Sequence, residues 1–179
     1  KGIIWSAIQK IGSQLISLIV FFLLARLLQP EDFGLISLAG VSLAFIEVFL
    51  DQGFAQAIVQ RQELEPEHLD TAFWTSLGLS TLLMTIVIAS AGFFAKAFEE
   101  PELTPIVRCL SLSFLFFAFS SVPQALFKRQ LAFKELATRS LLASLFGGAV
   151  GVSMAFLGFG AWSLVGQQLV NGFVGILVL

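Results

Sequence analysis

Long apolar runs separated by short polar breaks make up almost the whole chain. A helix needs about 20 mostly apolar residues to cross roughly 30 Å of hydrocarbon. Within lipid, a helix pairs its own backbone groups, whereas an open strand leaves them unpaired. The pattern therefore predicts an all-α fold, a polytopic transmembrane helix bundle of six spans. The predicted spans are Ile3–Leu28, Phe33–Val59, Thr71–Ala95, Thr104–Ala125, Thr138–Gly158 and Ala161–Leu179.

The composition favours a lipid environment and excludes several classes of function. Of the 179 residues, 57% are hydrophobic and only 12% are charged, whereas about a quarter of a soluble domain is charged. The net charge of −2 gives no sign of nucleic-acid binding. The sequence shows no catalytic triad pattern, metal-ligand cluster or glycine-rich phosphate loop. We therefore expect no enzyme, no catalytic residue, no metal site and no cofactor.

Two of the predicted spans carry small or polar residues along one face. On the first span these are Ser6, Lys10, Ser13 or Gln14, and Ser17, and on the second span they are Ser37, Gly40, Ala44, Glu47 and Asp51. Steps of three and four residues place side chains on one face of a helix. A charge within hydrocarbon costs at least a few kcal/mol, so the three charged residues need partners or water.

Lys10, Glu47 and Asp51 are predicted to lie at similar depths. At 1.5 Å per residue, Lys10 lies roughly 10 Å from the inner end, close to the level of Asp51 and one turn from that of Glu47. One interpretation is a buried ion pair that joins the two helices. The other is a water-filled cavity, which the additional carboxylate favours because an unpaired acid needs water, a cation or a proton.

Basic residues predict that the N-terminus lies on the cytoplasmic side. In that orientation the inner side holds Lys1, Arg61, Lys128, Arg129, Lys134 and Arg139, and the outer side holds Arg26, Lys96 and Arg108. Most of this bias comes from the segment Phe127–Arg139, which we expect to form a short helix at the membrane interface. Its interfacial basic residues serve either as an ordinary anchor or to gather an anionic lipid substrate.

Glycines on the fifth predicted span favour a close helix neighbour. Gly147, Gly148 and Gly151 lie within little more than one turn of one another. Small residues let helix backbones approach closely inside a membrane. We therefore expect another helix to pack against this part of the span.

Four stretches of the chain, taken in order, carry a family resemblance. They are LARLLQPEDFGLISLAGV at 24–41, DQGFAQAIVQRQELEPEHLDTAFW at 51–74, PQALFKRQLAFK at 123–134 and GFGAWSLVGQQLV at 158–170. Together they resemble the bacterial Wzx/WzxC-like polysaccharide flippases of the multidrug/oligosaccharidyl-lipid/polysaccharide exporter superfamily.

The resemblance implies a role in moving undecaprenyl-diphosphate-linked oligosaccharide across the bacterial inner membrane by alternating access. Residues 1–179 would form the N-terminal lobe of a two-lobed transporter, without the C-terminal lobe. Family members have a central cationic cavity, which implies that Lys10, Gln14, Arg26 and Arg61 contact substrate. Glu47 and Asp51 would couple transport to H⁺ or Na⁺ unless they form the ion pair. Expected partners are the lipid-linked substrate, membrane lipid, a polysaccharide polymerase and glycosyltransferases.

Three alternative functions are also compatible with parts of this pattern. A drug/cation antiporter of the same superfamily would also have membrane acids, although the basic segment at 127–139 disfavours it. A membrane enzyme acting on lipid-linked sugars would need a large outer loop, whereas the outer links here are short. The third alternative is a non-transporting membrane subunit of a polysaccharide assembly complex.

Overall fold

The computed structural model describes residues 2–50 and 66–178, with side chains described within 9–44 and 67–178. Across these ranges the chain forms helices joined by short turns and contains no strand, which confirms the predicted all-α fold. The helices are α1 (Gly2–Leu27), α2 (Pro30–Leu50), α3 (Pro66–Ala97), α4 (Leu103–Leu110), α5 (Ser113–Arg129), α6 (Phe133–Phe156) and α7 (Trp162–Leu177).

The turns follow from local chemistry. Pro30 occupies the first position of α2, where its missing N–H is not needed and its fixed φ suits a helix. Glu31 and Asp32 lie in the first turn of α2 and complement the positive end of the helix dipole. Between α6 and α7, Gly158 and Gly160 have φ values of 80° and 53°, a left-handed conformation that glycine adopts without steric strain.

The fourth predicted span is broken within the membrane-spanning region. Ser111 Oγ donates a hydrogen bond to the carbonyl of Arg108 at 2.7 Å. The N–H groups of Leu112 and Phe114 bond to carbonyls only three residues back, at 3.2 and 3.1 Å. These tighter bonds and the serine hydroxyl replace regular helical bonding and separate α4 from α5. The two helices together still form one apolar stretch, Leu103–Arg129.

The expectation of a separate interfacial helix at Phe127–Arg139 is wrong. Helix α5 continues to Arg129 and α6 already begins at Phe133. The N–H of Ala132 bonds to the carbonyl of Phe127 at 2.9 Å, and Leu131 has a φ of 55°. This is the helix-ending arrangement in which a left-handed residue satisfies the last carbonyl groups. The basic segment therefore consists of the end of α5, a tight turn at 130–132 and the start of α6.

The helices pack as two groups. In the first group, α6 packs against both α1 and α7; in the second, α2 packs against α3 and α4. Helix α5 packs against α3, α6 and α7 and joins the two groups, as does a contact between α4 and α7. Helices α1 and α2 are consecutive, yet within the described residues they do not pack along each other. They meet beside their turn, where the rings of Phe21 and Phe33 lie 5.9 Å apart.

Four stretches in the described part of the chain are long and apolar enough to cross a membrane. They are Gln9–Leu27, Glu67–Ala97, Leu103–Arg129 and Phe133–Phe156. Large apolar side chains point away from the bundle, among them Phe22, Trp74 and Phe93, which are 69%, 67% and 70% exposed. Such surfaces are expected where hydrocarbon is the solvent.

Candidate functional site

An open polar groove of about 560 Å³ runs beside the middle of α1. Its lining residues are Gln9, Lys10, Ser13, Gln14, Ser17 and Ser140. Three of them, Lys10, Gln14 and Ser17, follow one another at helical spacing and are exposed. The groove therefore offers one ammonium group together with amides and hydroxyls that donate and accept hydrogen bonds. We call it the polar groove.

Close contact between α1 and α6 forms the wall of the polar groove. Ser13 Oγ and Ser140 Oγ lie 2.9 Å apart and share a hydrogen bond. A Cβ added to Gly12 would lie 2.7 Å from Leu141, and one added to Gly148 would lie 2.5 Å from Val20. These contacts advance in the same direction along both helices, so α1 and α6 run parallel.

Two lining residues, Gln9 and Ser140, were not predicted. Ser140 comes from another helix, which the periodicity of α1 does not identify. A signal was present, because Ser140, Ala143, Gly147 and Gly151 put small residues on one face of α6. Such a face marks where a neighbouring helix approaches, although it does not say which helix.

Lys10 extends from α1 into the polar groove and is exposed. Among the described side chains, none forms an ion pair with it. The predicted partner Asp51 lies outside the described residues, as does the side chain of Glu47. The ion pair and the shared acidic cavity therefore both stay predictions.

The remaining predicted substrate residues are not in the polar groove. Arg26 is exposed in the last turn of α1, twelve residues beyond Gln14, or roughly 18 Å along the helix axis. Arg61 lies outside the described residues. On α2, the predicted small and polar face is uncovered as far as it is described, because Ser37, Gly40 and Ala44 are exposed.

The predicted interfacial basic residues have two different environments. Lys128 and Arg129 end α5 and Lys134 begins α6, so these three flank the turn between the helices. Lys128 and Lys134 are exposed, whereas Arg129 is half-buried. This placement suits contact with a membrane surface.

Arg139 lies inside the bundle, where it connects three helices. Its Nε–H donates a hydrogen bond to the carbonyl of Gly175 on α7 at 2.6 Å. With the amide of Gln124 on α5 oriented to suit its neighbours, Oε1 accepts from both terminal nitrogens of Arg139 at 3.1 and 3.0 Å, and from Ser120 Oγ at 3.1 Å. We call this set the arginine junction. It is a structural contact that the sequence did not predict.

At the opposite end of the bundle, two turns are in contact. Asp32 Oδ2 accepts a hydrogen bond from the N–H of Gln29 at 3.0 Å. A Cβ on Gly160 would lie 2.8 Å from Asp32 Oδ1, so only glycine lets the carboxylate approach this closely. The contact joins the α1–α2 turn to the α6–α7 turn, and two of the stretches that carry the family resemblance therefore meet in space.

The four long apolar stretches define a multi-pass membrane protein. A family model then places the chain more closely. It matches residues 23–179 and describes a polysaccharide biosynthesis protein. The chain belongs to this family.

Three curated relatives match nearly the whole chain. The succinoglycan biosynthesis transport protein ExoT of Rhizobium meliloti (strain 1021) is 28% identical over 97% of the chain and 35% of its own length. The lipopolysaccharide biosynthesis protein WzxC of Escherichia coli (strain K12) is 28% identical over 99% of the chain and 36% of its own. The teichuronic acid biosynthesis protein TuaB of Bacillus subtilis (strain 168) is 24% identical over 99% and 37%.

The chain thus spans about a third of the length of these relatives. No solved structure matches it significantly.

Proposed function

We propose that this chain is part of a transporter that moves a lipid-linked oligosaccharide across the bacterial inner membrane by alternating access. The observation that carries the proposal is the polar groove on a membrane-spanning helix, with Lys10 extending into it. Relatives named for succinoglycan transport and lipopolysaccharide biosynthesis support the same class of cargo.

The main barrier to such transport is the free energy needed to move the polar head group through hydrocarbon, and the polar groove lowers that cost. Burying a hydroxyl without a hydrogen-bond partner costs a few kcal/mol, and an oligosaccharide carries many hydroxyls. Amide and hydroxyl side chains such as Gln9, Gln14 and Ser17 replace part of the lost water. The lipid part of the substrate never has to leave the bilayer.

Lys10 supplies the positive charge that a diphosphate head needs. A cation in a partly desolvated groove stabilises an anion more strongly than it does in bulk water. The same charge repels cationic molecules, which favours an anionic cargo over the substrates of a drug/cation antiporter. With the N-terminus cytoplasmic, a membrane potential that is negative inside drives the anion outward by about 2.3 kcal/mol per charge per 100 mV.

Coupling to H⁺ or Na⁺ through Glu47 and Asp51 belongs to the same proposal. A carboxylate within a membrane binds a proton or a cation readily because its charge is otherwise costly there. The polymerase and glycosyltransferases of the same biosynthetic system are the expected protein partners.

Transport by Lys10 variants of the intact protein tests the proposal. We expect Lys10→Ala to lower the initial rate of lipid-linked oligosaccharide transport into proteoliposomes by roughly tenfold or more, the loss of one charge-assisted contact. Lys10→Arg keeps the charge and should retain most of the rate. Lys96→Ala, which removes an exposed charge at the other end of the bundle, is the matched control.

A correctly folded Lys10→Ala protein that transports at the rate of the unmodified protein would contradict the proposal. That result would show that the polar groove does not bind the head group of the cargo. A folded, unmodified protein that transports no lipid-linked oligosaccharide would instead favour a non-transporting membrane subunit.

A further inference from the structure

A second, apolar pocket lies beyond the polar groove on the same helix. Its volume is about 320 Å³, and its lining residues are Phe21, Ala25, Leu28, Pro30 and Phe33. The rings of Phe21 and Phe33 form its aromatic wall, with centroids 5.9 Å apart and planes at 65°. We call it the aromatic pocket.

One face of α1 runs through both pockets. The residues on this face are Lys10, Gln14, Ser17, Phe21, Ala25 and Leu28, at successive steps of four, three, four, four and three. This spacing keeps all six side chains on one side of a helix. Along this face, the side chains change from polar to apolar at one point, between Ser17 and Phe21. Lys10 and Phe21 are eleven residues apart, or roughly 16 Å along the axis.

The packing of the bundle leaves this face open. Helix α1 packs against α6, while α2 packs against α3 and α4. Consequently Lys10, Gln14, Ser17 and Phe21 are all exposed. Phe33, at the start of α2, covers only the last part of the face.

We infer that the aromatic pocket is a subsite for the isoprenoid chain of the lipid carrier whose polar head occupies the polar groove. The inference rests on the proposed function, because that function supplies a molecule with a polar head and a long apolar chain. When the polar head of the carrier binds at Lys10, near one membrane surface, its isoprenoid chain extends along the bilayer normal. The aromatic pocket lies in that direction on the same face of α1.

Binding of the isoprenoid chain in preference to bulk lipid depends on its fit to the pocket and on its tethered head group, rather than on the hydrophobic effect. Hydrocarbon tails surround the protein already, so moving a chain from lipid into the pocket removes no apolar surface from water. Contact with the Phe21 and Phe33 rings adds dispersion and edge contacts that loosely packed lipid lacks. The head at Lys10 keeps the chain at a high local concentration.

Photocrosslinking of the intact protein in phospholipid vesicles tests the subsite. The probes are radiolabelled polyprenyl diphosphate and radiolabelled phosphatidylglycerol, and p-benzoylphenylalanine replaces either Phe21 or Phe22. Phe22 is the matched control, because it is 69% exposed but lies on the adjacent face of α1. We expect position 21 to capture the polyprenyl probe selectively and position 22 to capture both probes alike. Equal capture at the two positions, or equal capture of both probes at position 21, would overturn the inference.

Chain length provides a second test. Phe21→Ala and Phe33→Ala should raise the KM for transport of a long-chain carrier by roughly threefold to tenfold, as expected for loss of one aromatic contact. A carrier with a single isoprene unit is too short to reach Phe21, so its KM should not change. Equal effects on both carriers would indicate general damage to the protein, and no effect on either would show an empty pocket. Both results contradict a chain subsite.

The two proposals fail in different ways. If Lys10→Ala abolishes transport but position 21 shows no selectivity, the proposed function stands and the chain subsite is wrong. If position 21 captures the polyprenyl probe selectively while Lys10→Ala transports normally, the carrier binds along α1 but the groove is not its transport path.

Discussion

Glycines are closely packed in one helix group of this bundle and have open space around them in the other. On α6, a Cβ at Gly147 would lie 2.8 Å from the carbonyl oxygen of Gln167. On α2 and α3, a Cβ at Gly40 or Gly78 would meet nothing within 4 Å. The α1–α6–α7 group therefore uses glycine to bring backbones together, as the sequence predicted for α6. The α2–α3 group leaves its glycines on open surface.

The comparison indicates which helices are closely packed and which surface is exposed. Close backbone contact lets many weak dispersion contacts form at once, and these contacts stabilise the packing of α1, α6 and α7. The polar groove lies on the α1–α6–α7 group, along the exposed face of α1 next to α6. The small residues on the exposed face of α2, by contrast, pack against no other helix in the described part of the chain.

The largest expected effect comes from filling the glycine contact on α6. Gly147→Ala should lower the free energy of unfolding by about 2–3 kcal/mol, because the new methyl group meets backbone, which cannot rotate away. Gly78→Ala, the matched control, should be neutral or stabilise by up to about 1 kcal/mol through helix propensity. Denaturation in detergent micelles measures both. Equal changes in the two variants would show that the two groups are packed alike.

Loss of the arginine junction should lower the free energy of unfolding by a somewhat smaller amount. Arg139→Ala leaves the Gly175 carbonyl and the Gln124 amide without their partner, and we expect a loss of about 2 kcal/mol. Arg139→Lys keeps the charge but not the planar fork, so it should recover only part of the stability. Lys128→Ala, at an exposed position, is the control. An Arg139→Ala protein as stable as the control would show that the junction does not hold the helices.

The smallest effect concerns the turn contact at the opposite end. Gly158→Ala and Gly160→Ala both place an alanine in a left-handed conformation, but only Gly160 faces Asp32. We expect Gly160→Ala to be less stable than Gly158→Ala by about 1 kcal/mol. Adding Asp32→Ala to each variant should remove the difference. A difference that persists without Asp32 would mean that the turns are joined in another way.

Run lengths and periodicity were enough to predict the fold and one face of the groove. Apolar runs between polar breaks indicated helices, and Lys10 and Gln14 share a face because their spacing matches a helical turn. Neither property identifies which helix packs against a given helix face. The α1–α6 pairing, and with it Ser140, depends on contacts between residues more than a hundred positions apart.

Other features escaped prediction because several local forces compete. The break at Ser111 arises from a side-chain hydrogen bond that competes with helical bonding within an apolar run. Arg139 belongs to a basic segment whose composition suits a membrane surface, yet its long side chain reaches inward to polar atoms of α5 and α7. Composition does not distinguish these two directions.

Water access along α1 tests the central claim most directly. With Cys109 and every other native cysteine of the intact protein replaced by alanine, a single cysteine is introduced at Gln14 or at Leu15, on adjacent faces of α1. Leu15 is 55% exposed and lies on the apolar side. A charged, membrane-impermeant thiol reagent applied to the intact protein in vesicles should modify Gln14→Cys rapidly and Leu15→Cys hardly at all, because a thiolate forms only where water reaches. Equal, slow modification at both positions would contradict a hydrated groove in the membrane.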